Sequence, residues 1–228
     1  MQESFQEFAK NYVLFCHVTT GIKTHPHEGL LQEKGGAGFP HIVFMDAAGK
    51  VLAEHEGPRT SEGFAKTGEQ AKAVIDLKAR AEKGDKGAKL NLVILQFETG
   101  QLTPDEARAQ LKEAAEPSAE QKEKLDGLFN DAEILAVAAS IKRGDQAGAI
   151  AAGKTFYERM KAGQPAPRGD QAVQTYWILM IEYAKSQKDA ATFEQALGAL
   201  KEKYANDQGA QEFFKKADAD LEALKKAK

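Results

Sequence analysis

The chain has 228 residues, enough for one large domain or two small ones with a core each. It is 42% hydrophobic and 29% charged with a formal net charge of -3, and no basic stripe rises above scattered Lys and Glu, so neither nucleic acid nor an anionic membrane surface is expected as partner. Apolar runs fall far short of the ~20 residues of a membrane helix. Met1–Lys10 has no apolar core of a signal peptide, and the single cysteine, Cys16, excludes an intrachain disulfide and any multi-cysteine zinc site.

In chain order, Ser4–Lys10 places Phe5 and Phe8 on one helical face and reads as the end of a helix. Tyr12–Thr19 is rich in β-branched and aromatic residues and reads as a buried strand. Its alternation puts Val13, Phe15 and His17 on one face and Tyr12, Leu14, Cys16 and Val18 on the other, so Cys16 is expected buried and inert. Thr20–His27 is a polar loop. Glu28–Lys34 reads as a short helix with Leu30 and Leu31 inward, stopped by Gly35 and Gly36. The stretch Gly35–Gly57 then carries a Gly-Phe-Pro turn, a strand at His41–Met45, a hairpin turn at Asp46–Lys50 and a second strand at Val51–Glu56. Thr60 or Ser61 can cap the next helix, which runs through Ala71 to Glu82 with an expected break near Gly68.

From about Gly84 the pattern becomes helical, dominated by Ala, Lys, Glu and Leu. That shift sets the expected boundary between domains 1–83 and 84–228. Ala88–Glu98 reads as an apolar helix, and Thr103-Pro104-Asp105-Glu106 opens another, with proline at the first helical position. Pro117–Gln121 opens the next, which runs to about Arg143. Gly144-Asp145 turns the chain into Gln146–Ala162, and Gln164–Gly169 is a loop. Helices at Asp170–Ser186, Asp189–Tyr204 and Asp207–Lys226 follow. In unit length and in aromatic and small-residue placement, these hairpins resemble tetratricopeptide arrays, as in Trp177–Tyr183 followed by Ala190–Leu200. No clean register of roughly 34 residues recurs, so a divergent helical repeat or an irregular bundle is expected.

GFPHIVFMDAAGKVL, with Gly57 after it, resembles the C-terminal half of the thioredoxin fold, in which a Gly-x-Pro turn carries a cis-proline beside the redox site and an antiparallel hairpin follows. The likeness covers roughly the first 80 residues. It implies a cis Phe39–Pro40 bond and makes Ser4–Lys10 the tail of the redox helix, Tyr12–Thr19 the next strand and Glu28–Lys34 the helix after it. It also places the Cys-x-x-Cys and its central strand upstream of Met1. The expected fold class is therefore α/β plus all-α: an incomplete thioredoxin-like sheet domain followed by an antiparallel α-helical hairpin domain. An empty central slot would leave backbone N–H and C=O groups unpaired in a core. Three arrangements avoid this: Tyr12–Thr19 pairs directly with His41–Met45 in a three-stranded sheet, a homodimer completes the sheet, or the chain is a fragment.

The five histidines, His17, His25, His27, His41 and His55, all lie within the first 55 residues. His25 and His27 share a loop, and with His17 and Cys16 they form a candidate set for zinc or copper. The competing reading has exposed loop histidines at His25 and His27, a strand-face His17 and an exposed His55, with no cofactor. By the resemblance, His41 follows the cis-proline and faces the redox site. No nucleophile elbow, zincin helix, phosphate loop or dinucleotide fingerprint is present.

The chain thus reads as a non-catalytic thioredoxin-like module that binds a protein or peptide in a groove formed by Phe39, Pro40 and His41, with a helical interaction domain. The alternatives are a thiol-disulfide oxidoreductase whose redox motif lies outside this chain, and a histidine-mediated metal-binding protein. Compartment stays open: cytoplasmic as the sequence is written, exported or periplasmic for a fragment, since thioredoxin-like proteins with helical extensions resemble bacterial exported proteins.

Overall fold

The structure is a computed structural model that describes residues 3–18, 27–36, 38–55 and 57–226. It is largely helical, and among the described residues its only sheet has two strands. The chain divides into two compact units, one of residues 1–95 with 110–115 and one of residues 96–109 with 116–228.

In the first unit, α1 (Glu3–Ala9) is amphipathic only in its phenylalanines. Phe5 and Phe8 reach Phe64 at ring separations of 5.7 and 6.3 Å, and Phe8 and Tyr12 reach Phe44 at 6.4 and 5.2 Å. These rings join α1 to β1 (Val43–Met45) and α3 (Ser61–Glu82). Between them lie α2 (Leu30–Glu33) and β2 (Val51–Glu54). β1 and β2 are antiparallel, with Phe44 opposite Ala53 and an irregularity between Phe44 and Met45.

The hairpin turn has a local cause. Asp46 Oδ1 accepts the N–H groups of Ala48 and Lys50 at 3.0 and 2.9 Å, and Gly49 adopts φ +75°. The Lys50 bond, joined by an ion pair from Lys78, holds the Asp46 carboxyl below its ordinary value, against a smaller opposing effect of burial. Leu52 and Ala53 of β2 are buried against Ala71 and Val74 of α3. Leu92 and Leu95 of α4 (Lys86–Glu98) pack on the same cluster. Side chains on both faces of β2 are thus covered.

Two expectations for this unit require correction. α3 is unbroken through Gly68, because that glycine makes room for a neighbour rather than a bend: a Cβ there would overlap Tyr12 Oη. The second concerns Tyr12–Thr19. Residues 13–18 form no strand, the sheet has no third strand among the described residues, and Thr19 lies outside them. Val13 is 97% exposed and Cys16 is exposed rather than buried. A strand pattern buries its alternate faces only when a neighbouring strand fixes them, and no described strand pairs with this segment.

The second unit is built from helices whose ends are set by local chemistry. α5 (Pro104–Leu111) starts where Thr103 and Glu106 bond each other's side chain and backbone. α6 (Ala119–Ala139) starts on a reciprocal Ser118–Gln121 capping box. Asp145 and Asp189 cap α7 (Gln146–Lys161) and α9 (Ala190–Tyr204). α8 (Asp170–Ser186) lies between those two, and α10 (Gln211–Lys226) follows a 3₁₀ turn at Gln208–Ala210.

Phe156, Tyr176, Met180, Phe193 and Leu197 centre the core of this unit. The backbones of α7 and α8 approach so closely that a Cβ on Gly153 would overlap the Leu179 carbonyl oxygen. Tyr176 Oη donates to the Phe156 carbonyl at 3.1 Å, and burial pushes its phenol up from the ordinary value, opposed by the charge of Arg159. Among the described residues no helix is long and apolar enough to cross a membrane.

Candidate functional site

The candidate site lies where α2 meets the hairpin. Gly35 takes φ +85° at the end of α2, turning the chain as a left-handed glycine can. Gly36, which follows it, is buried. A Cβ there would overlap Leu31 Cδ1 and lie 2.9 Å from the His41 ring, so the imidazole occupies the space a side chain would need.

His41 fills that space as a clasp. Nε2 donates to the Lys34 carbonyl at 3.1 Å and Nδ1 meets Glu54 Oε1 at 3.0 Å, with the side chain 8% exposed. Lys34 Nζ reaches across to the Gly49 carbonyl and to Glu33 Oε1, both at 2.8 Å, and its ammonium holds the Glu33 carboxyl below its ordinary value. α2 is therefore fastened to β2 through His41 and to the hairpin turn through Lys34.

Beside this clasp the chain is open. The Phe39–Pro40 bond is cis, Phe39 is 67% exposed and Pro40 is exposed. Pairing in the hairpin then decides which backbone groups of β1 are free. Ile42 accepts from His55 N–H, Phe44 pairs with Ala53, and Asp46 N–H donates to Lys50, so the even-numbered residues face β2. Val43 and Met45 turn theirs to the opposite edge. No strand among the described residues pairs there.

Among the described residues the candidate metal set does not converge. His25 lies outside the described residues, and among those described no three His, Cys, Asp or Glu residues are grouped to hold an ion. His17 is half-buried and stacks on Phe15 at 6.4 Å, whereas Cys16 is exposed. His55, expected to be exposed, is instead half-buried against Phe64 at 4.6 Å. Its Nδ1 donates to Thr67 Oγ1 at 2.9 Å, a hydroxyl that itself donates to the Gly63 carbonyl. His55 is drawn in because Thr67 is buried and supplies the acceptor.

Of the residues singled out from sequence, Phe39, Pro40 and His41 are thus neighbours at one end of β1, with His41 turned into the clasp and Phe39 outward. Sequence reasoning missed Gly36, Lys34 and Glu54 as the partners that hold His41. Only the Gly-Gly pair after α2 signalled a close approach. No protein-family model, no curated protein and no solved structure matches this chain.

Proposed function

We propose that the first unit is a non-catalytic protein- or peptide-binding module, the cis-proline half of a thioredoxin-like sheet, that takes an extended segment as an added strand on the β1 edge beside Phe39–Pro40. The second unit is its helical interaction domain. The observation that carries this reading is the outward backbone of Val43 and Met45, unpaired by any described strand and flanked by the exposed side chains of Phe39 and Met45. A free edge is a template for strand addition, with backbone bonds supplying affinity and alternate side chains selectivity. The His41 clasp keeps that edge fixed by holding the preceding turn. A large exposed apolar stretch at Val13–Val18 adds a second surface of the kind that marks interaction sites.

The test is fluorescence polarisation of the full chain with a labelled, alternating Val-Thr hexapeptide. Saturable binding is expected, lost by about tenfold or more in Val43→Pro, which removes an outward N–H and leaves the Phe44–Ala53 pairing in place. Equal binding by Val43→Pro, with the fold retained by circular dichroism, rejects strand addition at this edge. Light scattering shows whether a second copy is the natural occupant: a dimer that Val43→Pro dissolves places another chain on β1.

A further inference from the structure

The second unit contains a groove of about 1030 Å³ between the end of α4, α6 and the start of α8. Its floor is a stripe of α6, Leu128, Ala132, Leu135, Ala136 and Ala139, which recurs at helical spacing and is half-buried or exposed throughout. Leu125, one turn before Leu128 on the same stripe, is buried, and Ile134 on the opposite side of α6 is buried in the core of the unit. Leu135 also packs on that core, whereas Leu128, Ala132, Ala136 and Ala139 line the groove and stay half-buried or exposed. From Leu128 to Ala139 the stripe is about 16 Å long, some three helical turns. Alanines at three of its five positions let a second helix axis come close.

Charge on the rim selects among occupants. Five carboxylates line the groove, against only Lys124 and Arg168 as cations. Both cations are already engaged, Lys124 with Glu98 and Arg168 with Glu123, each at 2.8 Å. Asp170 pairs with Lys203, outside the groove, at 2.7 Å. Glu120 and Asp131 remain. Asp131 accepts the N–H groups of Arg168 and Gly169 at 2.9 and 2.7 Å and, among the described residues, has no cationic side chain paired with it. The apolar floor thus sits under a net acidic rim.

We infer that this groove docks a basic amphipathic helix of a partner protein, whose apolar residues at helical spacing enter between Leu128 and Ala139 while its Lys or Arg residues meet the rim at Glu120 and Asp131. The inference rests on reading the second unit as an interaction domain, and it is independent of strand addition on β1. Complementary charge makes the association fast and salt-sensitive, and the apolar stripe sets its register.

The probe is a fluorescein-labelled peptide of about 14 residues with Leu at i, i+4 and i+7 and Lys elsewhere, compared with a twin carrying Glu in place of Lys. With the full chain, saturable binding of the Lys peptide is expected, with the Glu twin weaker by about tenfold or more and the affinity falling as salt rises from about 50 to about 300 mM. Ala136→Arg, which fills the groove from an exposed position, is expected to cost about tenfold or more, and Glu120→Lys about threefold. Val43→Pro leaves this binding unchanged, so failure here with strand binding intact rejects the groove alone. Equal affinity for the two peptides overturns the inference. So does binding that neither Ala136→Arg nor Glu120→Lys weakens in folded protein. Self-association that Ala136→Arg abolishes assigns the groove to a second copy and overturns it as well.

Discussion

His41 holds together three stretches that are distant in sequence: its own turn, the end of α2 through Lys34 and β2 through Glu54. Removing the ring leaves a carbonyl and a carboxylate without that partner and a void beside Gly36. His41→Ala is therefore expected to destabilise the first unit by about 1–3 kcal/mol, read as a lower melting temperature. Gly36→Ala is expected to act in the same direction, because the new Cβ competes with Leu31 and His41 for one space. If both variants melt with the wild type, the clasp does not hold the turn.

Asp46 makes a separate statement about pH. Its carboxyl is held down first by the Lys50 N–H, so the stabilisation is fully present above the unfolded carboxylate value of about 3.9 and is lost as pH falls through the depressed native value. The melting-temperature gap between wild type and Asp46→Asn is accordingly expected to be open at neutral pH and to close in acid below that range. A gap constant from pH ~7 to pH ~2 contradicts the assignment.

Among elements, hairpin and helix starts were legible because their causes are local. The Asp46–Gly49 turn, the Thr103–Glu106 cap and the Ser118–Gln121 box lie within a few residues of the backbone groups they satisfy. Tyr12–Val18 was misread for the opposite reason. Its composition favours a strand, but a strand's burial depends on a neighbour that local pattern cannot name. Gly68 is similar: sequence gave a helix breaker, and the ring of Tyr12 supplies the reason for a glycine inside a continuous helix. The His41 partners were invisible because they lie at residues 34 and 54, across two turns.

β1 gives the sharpest expectation at this scale. Val43 and Phe44 are adjacent, yet their backbones face opposite edges. Phe44→Pro removes a ladder bond and the ring packed on Phe8 and Tyr12, and is expected to cost about 3 kcal/mol or more. Val43→Pro is expected to shift the melting temperature by only a few degrees, roughly the effect of 1 kcal/mol. Equal losses in thermal melts would show that the outer edge of β1 is already used.

Across the whole molecule, two cores are built differently. The first is a small cluster at Leu52, Ala53, Ala71 and Val74 with an aromatic group around Phe8, and the second is a large helical core centred on Tyr176 and Phe193. After β2 the described chain is helical from α3 onward, ahead of the composition change near Gly84, and Leu92 and Leu95 of α4 pack on the first cluster. Phe193→Ala, at a fully buried position, is expected to cost the second unit about 3–5 kcal/mol. Hexapeptide binding at β1 should survive at temperatures where the variant stays folded. Loss of binding by a variant still folded by circular dichroism would tie the β1 edge to that core.

Strand addition depends on the outer edge of β1, and amide hydrogen exchange of the full chain reads that edge directly. In the free protein the N–H groups of Val43 and Met45 are expected to exchange at nearly unprotected rates while Phe44 is protected, and saturation with the Val-Thr hexapeptide is expected to slow the first two by about tenfold or more. Protection of Val43 and Met45 in the free protein, or their continued fast exchange in the saturated complex, would contradict it.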